Sequence, residues 1–301
     1  MTKLISPSLL LLAFLYLLPY AAFSQKEALR KRMEEITQTA KGKVGVAVLG
    51  IEDRDTLSVF GKDRFPMQSV YKFPVAIAVL HQVDQRKLSL QQKIHLRPED
   101  LLPNTWSPLR EKYPQGNVDI PLSEVLLNTV ALSDNNGCDV LFRLLGGPPK
   151  VDAYIRSLGV RGMAIAATEE QMHQEEQVQY TNWSEPTAML RLLDVFYARK
   201  ALSPASTDFL WKVMVETSTG PRRMKGLLPP GTIVAHKTGS SGTNSQGITA
   251  ATNDVGIVTL PNGKHVALVV FVSDASADEA TREGVIAQIT KAVWDYFVAK
   301  P

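Results

Sequence analysis

Two residues of this 301-residue chain are spaced so that one could activate the other: Ser69 and Lys72, in Ser69-Val70-Tyr71-Lys72. Serine is a weak nucleophile until a base takes its proton, and a lysine three residues later on a helix lies one turn away on the same face. Ser-x-x-Lys alone is common, and a helix-capping serine followed by a solvated lysine satisfies it equally well. The flanking residues weigh against that alternative. Phe73, Pro74, Val75, Ile77 and Val79 make the helix apolar on nearly every side, so Lys72 is expected to be buried, where the neutral form that can act as a base is favoured.

Two more groups could join them. Ser133-Asp134-Asn135 falls between a helix ending near Leu132 and another that stops at Gly146-Gly147, and by itself it reads as a helix cap. Lys237-Thr238-Gly239 ends a predicted strand and is followed by Ser240-Ser241-Gly242. In this order the three groups resemble the active-site signature of class A β-lactamases and penicillin-binding proteins. That is a match to a known signature, not a deduction from spacing, and it covers essentially the whole chain after residue 24.

The resemblance implies an α/β (α+β) fold of the serine β-lactamase and penicillin-binding-protein type, with a five-stranded antiparallel sheet, flanking helices and an inserted all-helical lobe. The residue pattern is compatible with it. Leu29, Met33 and Ile36 recur at helical spacing, and Val44 to Ile51 and the residues through Phe60 read as a hairpin around Asp53-Arg54-Asp55. Thr232 to His236, Ile248 to Leu260 and Val266 to Val272 read as three more strands, the last two joined by Pro261-Asn262-Gly263. A closing helix is predicted from a Ser276/Glu279 capping box and an Ile286, Ile289, Val293 and Phe297 stripe. Residues 66–210 show helical stripes instead. The expected organisation is an α/β lobe from 25–65 with 211–301, and an all-helical lobe, 66–210, that contains an Ω loop.

Site roles follow from the resemblance. Ser69 attacks the lactam carbonyl, with Lys72 or Glu169 as base, and the backbone N–H groups of Ser69 and Ser240 form the oxyanion hole. Ser133 passes a proton to the leaving nitrogen, and Asn135 binds the substrate's side-chain amide. Lys237, Thr238, Gly239 and Ser240, with Arg223, are the candidates for the substrate carboxylate, Arg222 being the rival arginine. Trp106 aligns with an aromatic residue at the cleft mouth. In Glu169-Glu170-Gln171-Met172-His173, counting from Lys237 and Pro186 aligns Glu169 with the deacylating glutamate and His173 with an asparagine that helps hold water; Glu170 is the rival acid. Ala167 replaces the arginine that usually closes the loop, and the usual Asn and Asp pair is exchanged as Asp139 and Asn182, which keeps a complementary hydrogen bond available. These departures are similar to the PER-like, extended-spectrum subgroup, and they imply a differently folded or looser loop and a cleft wide enough for bulky oxyimino cephalosporins.

Composition narrows the alternatives. The chain is 45% hydrophobic and 21% charged, with 33 basic and 30 acidic residues spread along it and no basic block, so nucleic acid is not an expected partner. Lys3, the apolar run Leu9 to Leu18, and Ala22 and Ser24 read as a signal peptide over 1–24, too short for a stable membrane anchor and without a cysteine for lipidation. Export to the periplasm or medium follows as an expectation, with a monomer as the default. The single cysteine, Cys138, excludes an intrachain disulfide and reads as a small buried hydrophobe. Histidines 81, 95, 173, 236 and 265 show no ligand spacing, so no metal or cofactor is expected, and His236 reads as a strand residue facing away from Lys237. Three functions compete: a hydrolytic β-lactamase, a D-alanyl-D-alanine carboxypeptidase or transpeptidase, and a non-catalytic binding protein. The intact Ser69, Lys72, Ser133 and third motif argue against the last, and Glu169 argues against the peptidase.

Overall fold

The computed structural model describes residues 25–300, so the expected signal peptide lies outside the described residues. A first helix, α1, covers residues 25–38 and buries Met33 and Ile36, as their spacing predicts. Strands β1 (Lys43–Gly50) and β2 (Thr56–Val59) form the expected hairpin.

The middle of the chain is mainly helical: α2 (Lys72–Asp84), α3 (Pro108–Lys112), α4 (Leu122–Ala131), α5 (Asn135–Leu145), α6 (Pro148–Ser157), α7 (Glu169–Gln174), α8 (Pro186–Tyr197) and α9 (Pro204–Val215). It is not purely so. Short ladders interrupt it: β3 (Phe65–Pro66), β6 (Met163–Ala164) and β7 (Trp183–Ser184) in one, β4 (Lys93–Leu96) and β5 (Val118–Pro121) in another. In β4 the buried Ile94 and Leu96 alternate with exposed Lys93 and His95, a run of four that is too short to stand out from a helical stripe. Helix α9 runs unbroken across position 210, where the sequence reading divides the lobes.

Strands β8 (Val234–Ser240), β9 (Thr249–Thr259) and β10 (His265–Ala275) complete an antiparallel sheet in the order β2-β1-β10-β9-β8. Helix α10 (Glu279–Val298) ends the fold. Its cap is Asp278, whose carboxylate accepts from Thr281 N, and not Ser276 as the capping-box reading expects. Ser276 instead continues the strand end, its N–H bonding to Lys41 O.

Alternation sends the strands' side chains to opposite faces, and both faces are covered. Val44, Val46, Val48, Val266, Leu268 and Val270 pack with Met33, Ile36, Ile286 and Ile289 from the terminal helices. Ala47, Leu49, Ala267, Val269 and Phe271 pack with the helical middle, including Phe73, Ile77 and Phe196. The sheet is therefore the central layer, and β8, at its edge, keeps one row of backbone groups unpaired by any strand. That edge meets the start of α2.

Candidate active site

Ser69 lies in a 3-10 turn, Gln68–Tyr71, that runs directly into α2, so the predicted single helix begins as a tighter coil. Three residues per turn still leave Ser69 and Lys72 on one side, with Lys72 Nζ 3.0 Å from Ser69 Oγ. The sheet holds this turn in place. Buried Asn253 of β9 donates to Pro66 O (2.8 Å) and Met67 O (3.1 Å). Gly239 lets β8 come close as well, since a Cβ there would sit 2.5 Å from Met67 O.

Lys72 is fully buried, as expected, yet oxygen surrounds its ammonium. Besides Ser69, Nζ reaches Ser133 O (2.8 Å), Asn135 Oδ1 (2.5 Å) and Glu169 Oε1 (3.0 Å). The contact with Glu169 is an ion pair without hydrogen-bond geometry, and Oε1 is left buried with no hydrogen-bond partner. Asn135 is thus engaged on both sides, its Nδ2 donating to Thr105 Oγ1 at 2.7 Å.

Ser133 adopts φ of +60°, a left-handed conformation that is costly for serine and lets one residue face two lysines. Its carbonyl accepts from Lys72, and its hydroxyl from Lys237 Nζ at 2.9 Å. Asp134 anchors the strained turn by accepting from Leu109 N (2.6 Å), Gly137 N (2.7 Å) and Ser107 Oγ (3.0 Å). Lys237 lies within β8, which runs on to Ser240 and so is longer than its sequence predicts. Burial, helped by the charge of Lys72, pushes the Lys237 ammonium well below the usual lysine range. His236 points away from this cluster and pairs in the core with Asp254 (2.9 Å).

Glu169 opens α7, whose N-terminus is closed by a Thr168/Gln171 capping box. A second cap comes from α5. Asp139 accepts from Glu169 N (2.8 Å) and Glu170 N (2.9 Å), one oxygen to each. Burial raises the Asp139 carboxyl to about 7, against the two amides that lower it, and the nearby charge of Glu169 adds to the rise. The expected bond between Asp139 and Asn182 is not formed. Asn182 instead holds the loop backbone itself, accepting from Ala166 N (2.7 Å) and Ala167 N (3.0 Å) and donating to Ala167 O (2.9 Å). Gln68 Nε2 donates to Gln179 Oε1 (2.6 Å), which ties the end of this loop to the nucleophile's turn.

A cleft of about 470 Å³ opens over these groups, and Trp106, Asn135, Glu169, His173 and Ser240 line it. Trp106 is 57% exposed at its wall and donates from its indole N–H to Leu132 O. His173 is exposed on α7. Arg223 is buried behind the wall and does not line the cleft. Its Nε meets Glu283 Oε1 (3.2 Å), Nη1 donates to Gly239 O (3.2 Å) and Asn253 O (3.0 Å), and Nη2 donates to Ser240 Oγ (2.7 Å), so it backs the β8 edge from within. Arg222, the rival, is on the exposed side of Glu283. Thr238 Oγ1 contacts Thr219 Oγ1 (2.6 Å). Among the described residues no group of three or more His, Cys, Asp or Glu could hold a metal ion.

Sequence reasoning missed Thr105, Glu283, Gln179 and the cap formed by Asp139. Asp139 alone had a signal: it follows Asn135 by four residues and so shares its helix face.

A family model described as the β-lactamase enzyme family matches residues 28–297. VEB-1, a β-lactamase of Pseudomonas aeruginosa, is 43% identical over 99% of this chain and 100% of its own. PER-1, an extended-spectrum β-lactamase of the same organism, is 44% identical over 92% and 90%. The crystal structure of a β-lactamase from Chitinophaga pinensis superposes with a TM-score of 0.88 at 58% identity, covering 89% of this chain and 98% of that one. The chain belongs to the β-lactamase enzyme family, as a class A serine hydrolase of the β-lactam amide bond.

Proposed function

We propose that this enzyme is an exported, monomeric extended-spectrum β-lactamase that opens penicillins and cephalosporins, oxyimino cephalosporins included, and thereby confers resistance. The observation that carries the hydrolytic reading is the buried carboxylate of Glu169, 3.0 Å from the ammonium that also touches Ser69. An acylating serine with no such carboxylate beside it is the arrangement of an enzyme that β-lactams merely trap. A two-lobe division, 25–65 and 211–301 against 66–210, belongs to the same proposal.

In this mechanism the four oxygens around Lys72 suit an ammonium donor, so the proton of Ser69 passes through a water to Glu169. Ser69 Oγ attacks the lactam carbonyl, and the backbone N–H groups of Ser69 and Ser240 stabilise the oxyanion. Ser133 protonates the departing ring nitrogen and recovers its proton from Lys237, whose depressed affinity for protons suits that transfer. Lys237, Thr238 and Ser240, the last backed by Arg223, bind the substrate carboxylate along the β8 edge, which Gly239 keeps close to the nucleophile. Asn135, Trp106 and His173 contact the substrate side chain. Transfer of the Ser69 proton from Glu169 to Lys237 through solvent resets both groups; Glu169 then takes a proton from a second water, which attacks the ester, and delivers it to Ser69 Oγ as that oxygen leaves.

Nitrocefin turnover by the wild type and Glu169→Gln tests this. Sustained turnover by the wild type is expected, and in the variant acylation that is slowed but deacylation slowed further, so that an acyl-enzyme accumulates and is visible by mass spectrometry. A stoichiometric burst from the wild type overturns hydrolysis. For the spectrum, turnover of ceftazidime and cefotaxime no better than by a narrow-spectrum enzyme overturns the extended reading.

A further inference from the structure

Outside the cleft, a second cavity of about 500 Å³ lies where the C-terminal end of α2, the loop after it, the end of α5 and helix α6 converge. Its walls have two chemistries. Ala78, Leu88, Leu144 and Leu145 make an apolar floor, and Tyr154 adds a ring held by stacking on His81 (centroids 4.2 Å apart) and by its hydroxyl, which donates to Ala201 O. Gln82, Lys87 and Lys150 supply the polar part, and no carboxylate lines the cavity.

Neither Lys87 nor Lys150 has an ion-pair partner among the described residues. The nearby acid is already committed: Asp84 turns to α9 and accepts from Ser203 N (2.7 Å), Ser203 Oγ (2.6 Å) and Ser206 Oγ (2.6 Å). Lys87 follows the C-terminus of α2, where a cation offsets the helix dipole, but Lys150 stands in the first turn of α6, the end at which the dipole disfavours a cation. These two border a concave apolar surface of a volume typical of small-molecule sites, roughly 300–1,000 Å³.

We propose that this cavity binds a small amphiphilic monoanion, a carboxylate paired with Lys87 and Lys150 and carrying an apolar body that lies on Leu88, Leu144 and Leu145. The charge selects the sign of the ligand, and the leucine floor requires a hydrophobic body, so neither a bare anion nor an apolar cation meets both conditions. Two sources share this chemistry, a fatty acid and an aromatic carboxylate. The site is remote from Ser69 and does not rest on the hydrolytic reading.

The test is amide NMR titration of the full mature enzyme with decanoate and with 4-phenylbutanoate, both below micelle-forming concentration, and with decyltrimethylammonium as the control of opposite charge. Saturable shifts centred on Leu88, Leu144, Leu145 and Tyr154 are expected with at least one carboxylate; whichever binds more tightly identifies the source. The double substitution Lys87→Glu and Lys150→Glu, on exposed side chains, is expected to weaken binding at least tenfold while nitrocefin turnover stays at the wild-type rate. Equal binding of the ammonium control, full binding by the double variant, or no shifts from either carboxylate overturns the proposal.

Discussion

Ser69, Lys72, Ser133 and Lys237 hang from elements locked into the core, whereas Glu169 sits on a six-residue helix tied down by a few polar side chains. On the first side, α2 is buried along most of its length, β8 is laddered to β9, and Asn253 bonds the nucleophile's turn to the sheet. On the second, Asp139, Asn182 and Gln179 do the holding, and most of α7 is exposed. Packing fixes position against every displacement at once, while a hydrogen bond fixes it along one direction and can be exchanged for water. The acylating half is therefore expected to be rigid, and the deacylating half to tolerate change in its surroundings and to respond to pH.

Lys72→Met breaks the rigid half most severely. It removes the one group that touches Ser69, Ser133, Asn135 and Glu169, and acylation by nitrocefin should fall by on the order of 10³-fold in stopped-flow measurements. A fall below tenfold would mean that the cluster does not act as a unit.

Asp139→Asn probes the other half through pH. With its folded-state value raised from 3.8 to about 7, Asp139 favours folding at pH below 3.8, and that advantage is lost progressively as pH climbs to about 7. The full difference is at most ~4 kcal/mol at ~1.4 kcal/mol per unit. Urea unfolding should show the wild type losing more stability than Asp139→Asn between pH 5 and pH 8, and parallel losses would contradict the assignment.

Gly239→Ala is a smaller test of the close approach between β8 and the nucleophile's turn. With 2.5 Å between the new Cβ and Met67 O, a backbone shift costing about 1–3 kcal/mol is expected, with acylation slowed more than deacylation. Deacylation falling first would reverse the comparison. Trp106→Ala should do least. At 57% exposure its loss should change stability by no more than ~0.5 kcal/mol and appear instead as a several-fold rise in KM for cephalosporins. An unchanged KM would remove Trp106 from the cleft's binding surface.

By itself the sequence was enough for the element types of the sheet, the burial of Lys72 and the residues of the three motifs, because side-chain alternation, helical spacing and local triplets are properties of neighbours along the chain. It also marked Glu169 through its resemblance to a known family. It did not reach the partners. That Asp139 caps α7 while Asn182 holds the loop backbone, that Glu283 and Ser240 engage Arg223, and that Asn253 ties the nucleophile's turn to β9 depend on contacts between residues 15 to 187 positions apart. Local propensity carries no information about which of many possible long-range donors meets a given acceptor. Only the packing of the sheet against the helical middle brings each pair within hydrogen-bonding distance.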